Sequence, residues 1–416
     1  MTHEHQFDRI LNPNLSRSFV IFGPRGAGKS TFLKTLLKEK STLAYDLLDP
    51  NLDDEFQRNP NALTQRIMAA VANTPLNQSA IEWIVIDEIQ KNPKLLDIVQ
   101  HLIDTTSLKF ALTGSSARKL KHGSANLLAG RALRYSLFPL TLFEYDGRFD
   151  LDVALAWGTL PEIYHLNDDE LRSDYLRTYA LTYLKEEIWA EHIVRNLDPF
   201  RKFLEIAAQS NGEIINYSNI GRDVRADTKT VQSYFDILDD TLLGFYLEAY
   251  DHSVRKQQRQ NPKFYLFDMG VKRALERQLT QTILSGSYGY GKAFEHFIIA
   301  EIYRLNEYLK MDFKLSYLRT KDQAEIDLII EHPNRTVVLV EIKSTEQVDE
   351  RDAKTLQRFL PDFPGAVALL ISRDMVSRQI GDVKALPWQD ALFALFPEGL
   401  KRYIVKTDSD GPPAVT

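Results

Sequence analysis

Gly23-Pro24-Arg25-Gly26-Ala27-Gly28-Lys29-Ser30 decides how the chain reads. The stretch fits the pattern G-x-x-x-x-G-K-[ST] in full. It follows the apolar run SFVIF (18–22) and leads into the helical pattern STFLKTLLKEK (30–40). Glycines at these places let successive backbone N–H groups turn inward around an anion. The start of the helix adds the positive end of its dipole. Lys29 then reaches the β- and γ-phosphates of a nucleoside triphosphate, and the Ser30 hydroxyl sits on Mg2+. The predicted nucleotide-binding set is Gly23, Pro24, Arg25, Gly26, Ala27, Gly28, Lys29, Ser30 and Thr31, with ATP and Mg2+ as cofactors.

Two further apolar runs, IEWIVI (81–86) and LKFAL (108–112), lie among helix-like stretches around 61–72 and 93–104. Short buried strands alternating with helices predict an α/β unit, a mostly parallel sheet covered on both faces, over residues 1–148. The second run ends in Asp87-Glu88. Asp87 is placed to hold Mg2+ through water and Glu88 to polarise the attacking water, the equipment of an ATP hydrolase. The third run ends in Thr113-Gly114-Ser115-Ser116, where the Thr113 hydroxyl either senses the γ-phosphate or serves the turn. Residues 105–143 carry Lys109, Arg118, Lys119, Lys121, Arg131 and Arg134 with no Asp or Glu. Such a run supplies an arginine finger to a neighbouring subunit, lines a nucleic-acid channel, or is a solvated face. Arg131 is the first choice for the finger.

The 416 residues carry 51 Lys and Arg against 57 Asp and Glu, a formal charge of −6. That balance excludes a uniformly basic nucleic-acid coat but not a local basic groove. Without cysteine, disulfides, thiolate zinc sites and cysteine nucleophiles are excluded. No apolar run approaches the roughly 18 residues needed to span a bilayer, and the start lacks a signal-peptide pattern. The expectation is a soluble, cytoplasmic protein with no membrane partner.

Residues 149–198 read as a helical lid or connector, with Leu171, Tyr175, Tyr179 and Tyr183 four apart. Over 199–284 three helices precede two β-like segments, the order of a winged helix. Thr228, Lys229, Thr230, Gln232 and Ser233 stand at the start of its third helix, and the wing loop carries Arg255, Lys256, Arg259 and Lys263. Such a unit meets DNA or serves as a protein-interaction module. Residues 285–405 read as a second α/β unit, and 406–416 as a disordered tail. In this last unit Asp327 lies in AEIDLII, while Glu341 and Lys343 lie in TVVLVEIKS. Alternation puts Glu341 and Lys343 on one side of their strand, and a short turn brings Asp327 opposite Glu341. Two carboxylates with Glu295 from the preceding helix would ligate Mg2+, and Lys343 would sit beside the bound water. The plainer reading is a salt bridge on a hairpin.

Together, GPRGAGKS, VIDEIQKNP, LTGSSARKL, LAGR followed by FPLTLFEY, and WGTLPEIY resemble a prokaryotic AAA+ ATPase family that carries a C-terminal domain of unknown function. The resemblance runs over roughly residues 15–370. Members commonly have Gln-Val where this chain has Gly26-Ala27, which leaves the cradle chemistry intact. It implies that Gly158–Pro161 is a lid motif with Pro161 near the adenine, and that the chain works as a homo-oligomer with its finger in trans. The D-x13-E-x-K pattern resembles the PD-(D/E)XK nuclease superfamily. It implies DNA, branched DNA included, as partner and Mg2+ or Mn2+ at that cluster. A chain of this kind either cuts there or retains the fold without cutting.

Overall fold

Strand β1 (Ser18–Phe22) is buried at all five residues and is the axis of the first sheet. The computed structural model describes residues 7–73, 80–115, 128–145, 147–183, 197–251 and 260–401. With β2 (Thr42–Asp46), β3 (Trp83–Asp87), β4 (Lys109–Gly114) and β5 (Ala132–Ser136) it forms a parallel sheet of order β2-β3-β4-β1-β5. The three central strands are the three apolar runs. The edge strands β2 and β5, each with one buried residue, have no such run to announce them. Helices α1 (Lys29–Leu36), α2 (Pro50–Arg58), α3 (Ala62–Ala72) and α4 (Leu95–Thr105) cover the faces. In α4, Leu95, Leu96, Val99 and Leu102 recur at helical spacing and are buried.

Next come α5 (Leu151–Trp157), α6 (Pro161–His165) and α7 (Asp169–Thr178), with Asp150 and Asp168 capping α5 and α7 through side-chain acceptance of a backbone N–H. Helices α8 (Leu197–Gln209), α9 (Tyr217–Val224) and α10 (Thr228–Asp240) precede an antiparallel hairpin of β6 (Gly244–Ala249) and β7 (Lys263–Leu266). After α11 (Met269–Leu275) and the 22-residue α12 (Tyr288–Leu309) come β8 (Lys314–Arg319), β9 (Glu325–Glu331) and β10 (Val338–Lys343). The chain continues through α13 (Glu350–Phe359), β11 (Val367–Ser372), β12 (Arg378–Ile380), β13 (Val383–Pro387) and α14 (Trp388–Leu395).

The hairpin does not stand apart as a wing. Strand β6 pairs in parallel with β8, so the second sheet has eight strands in the order β12-β13-β11-β10-β9-β8-β6-β7 and crosses the expected boundary at 284/285. Lys263, expected as a wing cation, is instead 1% exposed. Strand β7 is covered at all four residues, so a lysine there must find acids inside the protein. Arg255, Lys256, Arg259 and the 406–416 tail lie outside the described residues.

Helix α12 joins the two sheets. Phe294, Ile298 and Leu305 share one apolar core with Phe19, Leu33 and Leu137 of the first unit, and Phe138 packs against Tyr308 with ring centroids 5.6 Å apart. Polar groups fix the register. Arg304 donates to Leu140 O and Thr159 Oγ1, both at 3.0 Å, and to Phe267 O at 2.6 Å. Glu301 Oε2 accepts from Leu142 N at 2.9 Å. Among the described residues no helix is long and apolar enough to cross a membrane.

Two measurements check this junction. Gly158 has φ 80°, and a Cβ there would lie 2.1 Å from Asp268 Oδ1. Gly158→Ala is expected to cost about 2–4 kcal/mol, read as a lower thermal midpoint. An unchanged midpoint contradicts the contact. Burial pushes the Glu301 carboxyl up to about 7 from an ordinary 4.5. The unfolded chain loses that proton first, so this group's stabilisation is complete below pH 4.5 and lost as pH rises through 7. Glu301→Gln is expected to flatten the stability profile across that window.

Candidate functional site

The cradle is set by backbone geometry. Gly26 and Gly28 have φ of 77° and 89°, a region that side chains with a Cβ rarely adopt. At Gly23 a Cβ would lie 2.2 Å from Leu137 O, so only glycine lets the loop leave β1 there. Helix α1 then begins with Phe32 N donating to Gly28 O at 2.9 Å. Lys29 is buried, its Nζ donating to Gly23 O at 2.8 Å and to Pro24 O at 3.3 Å.

Parallel pairing brings the tips of β3 and β4 beside this loop, at the carboxyl edge where open α/β sheets bind ligands. Ser30 Oγ donates to Asp87 Oδ2, and Thr113 Oγ1 donates to Asp87 Oδ1. Thr113 Oγ1 also accepts from Glu88 N at 3.0 Å. Glu88 sits at φ 61°, and its carboxylate accepts from Gln90 Nε2. A cleft of about 660 Å³ opens over these groups, lined among others by Arg9, Arg25, Lys29, Ser30, Glu88 and Pro161. Thr31 lines it too. A larger cleft of about 1070 Å³, bounded by the turn at His332–Val338, is lined by none of the predicted residues.

The lid unit packs onto the loop. Tyr179 Oη donates to Arg25 O at 2.8 Å, and Pro161, first residue of α6, faces Gly28, whose Cβ position lies 3.8 Å from Pro161 Cγ. From the other side Arg9 pairs with Glu144 at 3.0 Å and donates to Ala27 O at 3.0 Å and Tyr308 Oη at 3.1 Å. Arg9, Gln90 and Tyr179 were not foreseen as site residues. Tyr179 had its helical period as a signal, and Arg9 had none.

Arg131 lies at the opposite end of the sheet, just before Ala132, whose partner is Ser18 at the start of β1. It is paired with Asp104 at 2.7 Å, so it does not reach its own chain's cradle. Lys109 pairs with Glu82 at 3.0 Å, and Arg134 stacks on the Phe22 ring at 5.3 Å. These three cations are each engaged within the chain, while Arg118, Lys119 and Lys121 lie outside the described residues.

In the second sheet the antiparallel register of β9 and β10 runs through Val340↔Leu328, which puts Glu341 opposite Asp327. Asp327 Oδ2 accepts from Ile342 N at 2.8 Å. Burial, then the charges of Glu341 and Glu295, hold the Asp327 carboxyl well above the usual range. Burial raises Glu341 as well, against the pull of Lys343, whose Nζ lies 2.6 Å from Glu341 Oε1. Burial alone would lower Lys343, but Glu341 and Asp327 overcome it and leave it raised. Glu295 accepts from Tyr265 Oη at 3.0 Å and meets Lys292 Nζ at 3.3 Å. The expected ligands Glu295, Asp327 and Glu341 are therefore gathered, each accepting from at least one protein donor, while Glu341 Oε2 has no hydrogen-bond partner. Among the described residues no group of three or more His, Asp or Glu is disposed to hold a metal ion.

Thr113 holds both acids of the first site without touching the cleft's outer rim. Thr113→Val is expected to lower ATP turnover about 10–100-fold with the fold kept, measured by steady-state phosphate release. Unchanged turnover contradicts the role of that hydroxyl.

Comparison with known proteins divides the chain in three. Residues 16–146 match an AAA domain (AAA_14), residues 148–282 a domain of unknown function (DUF8612), and residues 290–391 another (DUF4143). An uncharacterized protein of Mycobacterium tuberculosis is 25% identical over 319 residues, 76% of this chain and 68% of that one. An uncharacterized protein of Methanocaldococcus jannaschii is 24% identical over 438 residues, 94% of this chain and 88% of that one. Among solved structures, a signal transduction ATPase with numerous domains from Pyrococcus horikoshii is 13% identical with a TM-score of 0.21, covering 74% of this chain and 54% of that one. A likeness of that degree carries no argument. The cradle's geometry and the match over 16–146 agree: this part of the chain is an AAA-type P-loop ATPase domain, followed by two domains of unknown function.

Proposed function

We propose that the chain couples ATP hydrolysis in residues 1–148 to the binding and remodelling or processing of DNA, branched DNA included, by the units that follow. The observation that carries the hydrolase half is the chain of contacts from Ser30 to Asp87 to Thr113 to Glu88. Lys29 and Ser30 line the cleft, and Asp87 accepts from Ser30, which supplies the cation and the hydroxyl–carboxylate pair that a magnesium-bound triphosphate takes. Ser30 and Asp87 would hold Mg2+, which supplies charge neutralisation at the phosphates. Glu88, held by Gln90, orients and deprotonates water. Pro161 and the lid exclude bulk solvent from the adenine end.

Thr228, Lys229 and Gln232 are exposed at the start of α10, where a recognition helix would present them. Glu295, Asp327, Glu341 and Lys343, the residues singled out by the nuclease resemblance, lie in one charged cluster, which supports this reading. Assembly into a homo-oligomer would let Arg131 serve a neighbour's site once its Asp104 pair opens. A second reading, an ATP-switched scaffold that binds DNA without cutting, is favoured by the protein donors that occupy the Glu295 carboxylate.

Lys29→Ala is expected to reduce ATP turnover at least about 100-fold, and surviving activity contradicts the assignment of the cradle. Incubation with Mg2+ or Mn2+ and linear, forked or four-way DNA, beside Lys343→Ala, separates the readings. Metal-dependent products lost in the variant support cleavage, and binding without products supports the scaffold. Neither binding nor products supports a remodeller of protein partners instead.

A further inference from the structure

Arg148 and Arg172 are cations that neither the cradle nor the charged cluster of the second sheet uses. The turn before α5 and the first turns of α7 bring them to one place. There a cleft of about 420 Å³ is walled by Tyr145 and Tyr164 and edged by Arg148, His165, Asn167 and Arg172. That volume lies within the roughly 300–1,000 Å³ of small-ligand sites. One carboxylate, Asp150, belongs to its described lining, and it already accepts from Val153 N at 3.1 Å as the cap of α5. Two guanidiniums therefore stand on the lining against one acid, in a chain whose formal charge is −6.

Both guanidiniums have donors to spare. Arg148 is exposed, with Cζ 5.1 Å from the centroid of the Tyr164 ring, and among the described residues no carboxylate pairs with it. Arg172 is less open, its side chain 15% exposed. Its Nη1 donates to Asp169 at 2.9 Å, and its Nε is buried with no hydrogen-bond partner. Asp169 is itself 68% exposed, so water screens the pair and holds the arginine only weakly in place. An arginine fork offers Nε and Nη2 as one edge for two oxygens. Among the described residues nothing accepts from that edge of Arg172, and a buried donor left unpaired costs its desolvation.

We propose that this cleft is a second ligand site, which takes the phosphate group of a small molecule beside the nucleotide cleft. Two forks arriving from different elements call for more than the two oxygens of a carboxylate. A phosphate offers three, with nearly two negative charges. Tyr145 and Tyr164, their ring centroids 5.7 Å apart, wall the part of the cleft that the phosphate leaves over. Helix α6 borders both clefts. Pro161 at its start and His165 at its end line the nucleotide cleft, and His165 lines the second one as well. Phe7 also lines the nucleotide cleft and meets Tyr164 edge-on at 5.0 Å. A ligand that draws Arg148 and Arg172 together thus bears on the helix that carries Pro161. The site stands whether or not the chain hydrolyses ATP.

The test is isothermal titration of inorganic phosphate, and separately of phenyl phosphate, into the full chain. Mg2+ and a non-hydrolysable ATP analogue are present to fill the cradle. One site is expected, weakened at least about tenfold in Arg148→Gln and in Arg172→Gln and kept in Lys29→Ala. Phenyl phosphate binding at least about tenfold tighter than phosphate marks the occupant as a phosphorylated small molecule. Equal binding marks it as free phosphate, and either result upholds the site. Benzoate is expected to bind at least about tenfold more weakly than phenyl phosphate. Absence of binding, a site that either arginine variant keeps at full strength, or one that Lys29→Ala removes overturns the proposal. So does benzoate that binds as tightly as phenyl phosphate. Arg148 is exposed, so Arg148→Gln decides by itself if Arg172→Gln does not fold.

Discussion

The loop at 23–30 can close on phosphate only because three of its residues lack a Cβ. Gly26 and Gly28 take positive φ, and Gly23 passes against the Leu137 carbonyl where no side chain fits. The rest of the molecule is arranged around that turn. Three of its carbonyl or hydroxyl groups are each tied to a different part of the chain: Ala27 O to Arg9, Arg25 O to Tyr179, and Ser30 Oγ to Asp87. Through Arg9 the loop is also tied to Tyr308 on α12, and so to the second sheet. A displacement of the loop therefore strains the N-terminal segment, the lid and the long helix together.

The second sheet gathers buried charge. Its carboxylates and lysines are buried against one another, and a buried ionic cluster is a poor source of stability compared with apolar packing of the same volume. Its position explains more. Glu295 comes from α12, Asp327 and Glu341 from adjacent strands, and Lys263 from the hairpin that crosses from the middle unit. Each contributor belongs to an element that also packs elsewhere, so the cluster registers how these elements are docked.

The parts visible in the sequence are those whose physics is local. The central strands of the first sheet are continuous apolar runs because both faces are covered, and the glycines and Lys29 stand where strand gives way to helix. The opposition of Asp327 and Glu341 follows from strand alternation and a short turn. Strands β2 and β5 were silent because edges bury too little to need a run. Lys263 was misread for a related reason. In a loop-flanking tetrapeptide covered on both faces, KFYL, alternation does not say which way the first side chain points. The pairing of β6 with β8 across 284/285 was not legible, because the two strands meet across a long stretch of chain. Arg9 finds Glu144 and Tyr308 at separations of 135 and 299 residues, and no pattern in the N-terminal segment signals either contact.

A crystal structure of the chain with Mg2+ and a non-hydrolysable ATP analogue bears most directly on the account. Lys29 Nζ should exchange the Gly23 and Pro24 carbonyls for phosphate oxygens, with Mg2+ on Ser30 Oγ, Asp87 behind it, and the base beside Pro161 of the lid. An analogue bound elsewhere, or a cradle in which Lys29 still holds its own loop while saturating nucleotide is present, would contradict it.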